Sequence, residues 1–295
     1  MLAGSMVAVV TPMDADGAVN YRDFARVLDF HVSAGTEALI VAGTTGESAT
    51  LEHDEHIEVL ERACEIANGR IPIIAGTGSN STAQTLQLSR AVDRLPIAGY
   101  LVVTPYYNKP PQEGMRRHFT AIADAVHHPL ILYNVPGRTG VDLKPETVAK
   151  LAVHPNIVGI KEATGELARV RALRETCGAK FVLLSGDDAT SREFMLQGGD
   201  GVISVTANVA PAGMRRLCDA ARAGRRVEAE RIDADLQPLH RALFCESNPI
   251  PVKWACEKMG LIGPGIRLPL IPLAPQYHAV VASAMLAAGV QVAAA

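Results

Sequence analysis

Cysteine is scarce in this chain, five among 295 residues, and so are aromatic residues, 4% with a single Trp. Cys64, Cys177, Cys218, Cys245 and Cys256 are odd in number, widely spaced, and form neither a C-x-x-C pair nor a zinc pattern. That excludes a disulfide framework and reads as reduced, mostly buried thiols, for which a cytoplasmic location is expected. No run reaches about 18 uninterrupted apolar residues, so no membrane span is expected. The opening Met1-Leu2-Ala3-Gly4-Ser5-Met6 lacks the charged n-region of a signal peptide. The 28 basic and 31 acidic side chains leave a net charge of −3, with no stripe of Lys or Arg to track phosphates, which argues against nucleic acid.

What the chain does have is an alternating pattern. Hydrophobic residues make up 48%, with Gly 25 and Pro 18, as in ordinary globular proteins. Apolar, β-branched runs recur at 6–10, 38–42, 71–75, 100–103, 130–133, 157–160, 181–184 and 202–205. Near-continuous apolar runs suit strands buried on both faces, and the spacing of about 25 to 35 residues leaves room for a crossover helix each time. Phe24, Val27, Leu28 and Val32 share one helical face in the first crossover, as do Ile57, Leu60, Cys64 and Ala67 in the second. Pro145 followed by Glu146 suits a helix start. Eight such units predict an α/β fold, a (β/α)8 barrel, with a doubly wound open sheet as the competing architecture. The strand pattern stops after Asn208, so we divide the chain into a barrel over 1–225 and a C-terminal helical extension over 226–295.

Barrel enzymes carry their active sites at the C-terminal ends of the strands. There Ile157-Val158-Gly159-Ile160-Lys161-Glu162-Ala163 sets a lysine at the tip of an apolar strand. Two readings fit: an amine desolvated into a nucleophile for a carbonyl, or a lysine paired with Glu162 or another acid. Tyr133 ends the preceding strand and would stand beside Lys161, a phenol placed to carry protons for imine formation, or else a core tyrosine. Arg138 follows on a Pro-Gly turn, as an anion receptor or a surface ion-pair residue. The turn Gly43-Thr44-Thr45-Gly46-Glu47-Ser48 can hold a small carboxylate, or be a structural loop with Glu47 as an internal acceptor. Tyr106 and Tyr107 form an aromatic pair in a loop, which suits an interface. Asp187 and Asp188 read as an N-cap for the next helix rather than metal ligands, and His53 and His56 as part of a solvated helix face.

The Thr44 to Ser48 loop, Pro105-Tyr106-Tyr107-Asn108, Tyr133-Asn134-Val135-Pro136-x-Arg138-Thr139-Gly140, Gly159-Ile160-Lys161-Glu162-Ala163 and Ser185-Gly186-Asp187-Asp188 together resemble the dihydrodipicolinate synthase family of pyruvate-dependent class I aldolases. The resemblance extends to Asn248-Pro249-Ile250-Pro251-Val252-Lys253. It implies a lyase of the diaminopimelate and lysine pathway with no metal or organic cofactor. Lys161 would form a Schiff base with pyruvate, whose enamine adds to L-aspartate 4-semialdehyde. Tyr133 would shuttle protons through Thr44 to Tyr107 of a neighbouring subunit in a homotetramer built as a dimer of dimers. Thr45 and the backbone of Ile203 would hold pyruvate, Gly186 would line the site, and Arg138 would receive the semialdehyde carboxylate. Departures exist: Gly137 stands where serine is frequent. Gln84 stands where a glutamate commonly contributes to an inhibitory L-lysine site, matched here by Ser48, Ala49, His53, His56, Asn80 and Tyr106. An allosteric lysine site weakened at Gln84 is therefore expected, unless Gln84 only completes a capping box with Ser81. A sister aldolase such as N-acetylneuraminate lyase, and a non-catalytic barrel that binds a small acid, are the competing readings.

Overall fold

The structure, a computed structural model, describes residues 2–291. Each apolar run forms a strand: β1 Gly4–Ala8, β2 Ala38–Val41, β3 Ile73–Gly76, β4 Gly99–Val103, β5 Leu130–Asn134, β6 Ile157–Glu162, β7 Val182–Ser185 and β8 Gly201–Ser204. β3 starts later than its apolar run because Pro72 has no N–H for the ladder. All pairings are parallel and run in chain order, and β8 closes back on β1 through Met6 and Ile203. A closed (β/α)8 barrel therefore stands, and the open sheet is excluded.

The crossovers are α1 Tyr21–Ala34, α2 His53–Ala67, α3 Thr82–Val92 and α4 Gln112–Ala123, then a single turn α5 Pro136–Thr139 ahead of α6 Pro145–Leu151. α7 Ala168–Cys177, α8 Ser191–Leu196 and α9 Pro211–Arg222 complete the ring, and α10 Arg226–Ala242, α11 Ile250–Lys258 and α12 His278–Ala287 form the C-terminal extension. Among the described residues no helix is long and apolar enough to cross a membrane. α1 is capped by Asn20, whose side chain accepts from Asp23 N at 2.9 Å, and ends at Gly35 in the left-handed region. α6 begins at Pro145, as its sequence predicts. Two faces differ from expectation. Val32 and Ile57 are only half-buried, and the covered stripes instead take in His31 on α1 and His56, Val59 and Ala63 on α2. The stripe against the barrel is thus turned by about one residue, and it carries two histidines into the core.

Met6, Ala8, Ile40, Ile74, Leu101, Ile131, Leu184 and Ile203 fill the barrel interior, while a larger cluster occupies the layer between strands and helices. β5 and β6 are out of simple step: Leu130 pairs with Ile157, but Ile131 pairs with Gly159, so Val158 is an extra residue. The shift brings Tyr133 opposite Lys161 and Asn134 opposite Glu162.

The buried histidines predict an acid response. Burial pulls His31 down to about 3 and His118 down to about 4. The unfolded chain takes up these protons below about pH 6.5 whereas the native protein does not, so stability falls as pH drops from there. At pH 5 His31 alone should cost roughly 2 kcal/mol relative to neutral pH. Urea midpoints at pH 7.5 and pH 5 measure this, and a His31→Gln variant with the wild-type pH slope would contradict it.

Candidate active site

Lys161 sits at the C-terminal end of β6 and is 5% exposed, with Nζ 4.3 Å from the centre of the Tyr133 ring on β5. The alternation of side chains along β6 sends Glu162 to the opposite face, into the helix layer. There its carboxylate accepts from Asn134 Nδ2 at 3.2 Å and Thr164 N at 2.9 Å and lies 3.7 Å from Arg169, which is itself paired with Asp142. Burial pushes the Glu162 carboxyl up, offset by those hydrogen bonds and the arginine. Lys161 has no carboxylate partner among the described residues, so the pairing with Glu162 is excluded. Gly186, just past β7, supplies its space: a Cβ there would lie 2.9 Å from Lys161 Cε and 2.6 Å from Ala163 Cβ.

The turn after β2 faces this lysine across the barrel mouth. It closes on itself through Glu47 N donating to Thr44 O at 3.2 Å and Ser48 N donating to Gly43 O at 3.3 Å, and Thr11 Oγ1 donates to Gly46 O at 2.7 Å. Thr45 is buried, and its hydroxyl accepts from Asn248 Nδ2 at 3.0 Å. Glu47 is an internal acceptor: Lys253 Nζ and Arg267 N donate to its two oxygens, the latter at 3.1 Å. Burial pulls the Lys253 ammonium down, while Glu47 works against that shift. Arg138, on α5, donates to Asn248 O at 3.2 Å. The C-terminal segment around Asn248 is thus a wall of the site, a part that the sequence motif Asn248 to Lys253 does not by itself assign.

Thr44, Thr45, Tyr133, Arg138, Lys161 and Gly186 converge on one cavity of about 150 Å³, which Phe244 and Asn248 close from the C-terminal side. Two expected members are not among the residues lining it. The Ile203 side chain packs in the barrel interior, so the role expected of Ile203 falls to its backbone. Tyr107 is 88% exposed and is not among the residues that line the cavity of its own chain. Its φ of 73° is unusual for a side chain-bearing residue, and the loop is tied to α5 by Tyr107 N donating to Thr139 O at 3.2 Å.

A second cavity, about 400 Å³, adjoins the first and shares Thr44, Ser48, Val103 and Arg138 with it. Ser48, Ala49, His53, His56, Gln84 and Tyr106 line it, whereas Asn80 does not, its carbonyl accepting from Asn108 Nδ2 at 2.9 Å. His56 is not on a solvated face: it is buried and its Nε2 donates to Gly76 O at 2.8 Å, with burial lowering its pKa. The capping box at α3 is half-formed. Ser81 Oγ accepts from Gln84 N at 3.4 Å, but Ser81 N is taken by Ser79 Oγ, and Gln84 Oε1 accepts from Ser79 Oγ at 3.0 Å.

The paired aspartates after β7 are not N-caps, since α8 is preceded by Thr190. Asp187 Oδ2 holds Thr190 through its N and Oγ1, and Asp188 Oδ2 accepts from Val205 N at 2.8 Å and Thr206 N at 3.0 Å, fastening the loop after β8. Among the described residues no group of three or more His, Cys, Asp or Glu side chains is arranged to hold a metal ion.

A closed parallel barrel whose polar cavity opens at the C-terminal ends of its strands places the protein in the (β/α)8 enzyme class. Comparison with known proteins narrows the class. The chain belongs to the Dihydrodipicolinate synthetase family, whose sequence model matches residues 1–288. The 4-hydroxy-tetrahydrodipicolinate synthase of Thioalkalivibrio sulfidiphilus is 57% identical over 290 residues, covering 98% of this chain and 99% of the relative. Among solved structures, the chloride-inhibited dihydrodipicolinate synthase of Acinetobacter baumannii, complexed with pyruvate, superposes with a TM-score of 0.97 at 51% identity, over 99% of this chain and 100% of that one. The enzyme of Cyanidioschyzon merolae with lysine bound gives 0.94 at 40% identity, over 97% and 98% of the two chains.

Proposed function

We propose that the protein is a 4-hydroxy-tetrahydrodipicolinate synthase, a lyase of diaminopimelate and lysine biosynthesis that condenses pyruvate with L-aspartate 4-semialdehyde. The observation that carries this reading is the buried Lys161 amine, without a carboxylate partner among the described residues, over the Tyr133 ring. The names of the relatives support it, as does the pyruvate in the Acinetobacter baumannii structure.

In this reading the Lys161 amine adds to the ketone carbon of pyruvate and water leaves, giving an imine. Loss of a methyl proton gives an enamine, which forms the carbon–carbon bond to the aldehyde. The amine of the second substrate then closes the ring, displaces Lys161 and frees the product. Tyr133 carries protons, relayed by Thr44 to Tyr107 of a second copy, for which the exposed phenol is suited. Thr45 and the backbone of Ile203 hold pyruvate beside Gly186, and the Arg138 fork binds the semialdehyde carboxylate. No external cofactor enters these steps. Assembly is a homotetramer, and the location cytoplasmic. The test is condensation itself: purified protein with pyruvate should consume L-aspartate 4-semialdehyde and leave N-acetylmannosamine untouched. The opposite preference would assign the chain to a sister aldolase, and inactivity on both would leave a binding barrel.

The second cavity is assigned to L-lysine as an inhibitor, supported by the lysine-bound relative and by the wall it shares with the catalytic cavity. Gln84, which lines the second cavity, is a neutral acceptor, already bonded to Ser79, where a carboxylate would form charge-assisted bonds to an ammonium. The missing charge should weaken inhibition by roughly 5- to 30-fold. Activity titrated with L-lysine is expected to show tighter inhibition by that factor in Gln84→Glu. A wild type indifferent to millimolar lysine would remove the site.

A further inference from the structure

Within the turn that carries Thr44 and Thr45, Glu47 adopts φ 57° and ψ 34°, a left-handed conformation that a residue with a side chain holds only when its surroundings over-determine it. Those surroundings come from the far end of the chain. Lys253 on α11 and the backbone N–H of Arg267 take the two Glu47 oxygens, and Asn248 takes the Thr45 hydroxyl. The Arg267 side chain extends the grip by donating to Thr50 O at 2.8 Å and pairing with Glu55 at the start of α2. Glu47 and Lys253 are 3% and 4% exposed, and neither lines the catalytic cavity.

A buried ion pair is a poor source of net stability, because both ions lose their hydration, and an apolar pair of similar volume commonly serves the fold as well. What an apolar pair cannot do is fix direction, since dispersion contacts tolerate sliding where two hydrogen-bonded charges do not. We infer that Glu47 and Lys253 are positioning residues for the pyruvate-binding turn, so that α11, outside the barrel, sets the placement of Thr44 and Thr45. The inference rests on the reading of Lys161 and the two threonines given above. It predicts a specific asymmetry, because the turn serves the first substrate while Arg138 lies on a different loop.

The decisive variant is the double replacement Glu47→Leu with Lys253→Met, which removes both charges together and leaves no unpaired buried ion. It should unfold within a few degrees of the wild type, yet raise the KM for pyruvate roughly 10- to 100-fold, in keeping with the cost of a displaced binding group, with little change for the semialdehyde. Lys253→Arg, which keeps the charge, should recover most of the pyruvate KM. If the double variant does not fold, Glu47→Gln with Lys253→Met, which also removes both charges together, gives the same comparison. Borohydride trapping of pyruvate on the wild type is run alongside. With the wild type labelled, an unchanged pyruvate KM in the uncharged variant, or equal losses for both substrates, overturns the inference. An unlabelled wild type overturns the reading of the site, and the inference with it.

Discussion

Borohydride reduction in the presence of pyruvate is expected to leave a pyruvate-derived mass on the peptide containing Lys161 and to abolish activity, because reduction turns an imine into a stable amine. Lys161→Arg is expected to keep the charge and the fold but lose turnover by roughly 10⁴-fold or more, as when the nucleophile of a covalent mechanism is removed. A guanidinium does not give up its proton near neutral pH and cannot form the imine. The surroundings of Lys161 make the comparison clean. Its neighbours are the Tyr133 ring and the bare backbone of Gly186, and it holds no ion pair among the described residues whose loss would confuse the result. A label on some other lysine, or none, would end the proposed mechanism.

Tyr133→Phe should show the second largest effect, a fall in turnover of roughly 10²- to 10⁴-fold, the usual worth of a positioned proton carrier. The ring packs in the barrel interior with Ile131 and Leu184, and phenylalanine keeps that packing, so the thermal midpoint should move little. Pyruvate labelling of Lys161 should persist in this variant, since imine formation needs the amine and the carbonyl in place, while the complete reaction stalls for want of proton transfer. Near-normal turnover would remove Tyr133 from the chemistry.

The features legible in the sequence are those written in short-range pattern. Eight doubly buried strands must be apolar throughout, so the runs at 38–42 or 130–133 announce themselves, and a barrel places whatever follows them at one mouth. Lys161 stands out because a charge at the end of such a run is costly without a purpose. Whether it was free or paired with Glu162 could not be read from adjacency, and it turned on which face of β6 each residue takes. His31 and His56 were obscured because a polar residue on the buried side of a helix breaks the periodicity that defines the side. Asp188 reads as a cap in the sequence because its partners, the amides of Val205 and Thr206, lie one strand further on. The pair Glu47 and Lys253 is 206 positions apart, and no local pattern joins residues that meet only when the extension packs on the barrel mouth.

Val158, the additional residue in β6, has a consequence for how this chemistry can vary. Strands of a barrel are two-phase objects in which odd and even positions serve different compartments, one lumenal and one facing the helices. The bulge takes up Val158 without changing that phase, since Ile157 pairs with Leu130 and Gly159 with Ile131, so beyond it the amine reaches the lumen while Glu162 is delivered to Arg169. Substituting Val158 would leave the count intact, and its side chain is only half-buried. Deleting it would leave Ile157 opposite Leu130 and Gly159 opposite Ile131, so Lys161 and Glu162 would keep their compartments. The strand can thus gain or lose a residue at the bulge without moving the nucleophile, whereas a change of length between Gly159 and Lys161, where the pairing is regular, would exchange the compartments of Lys161 and Glu162.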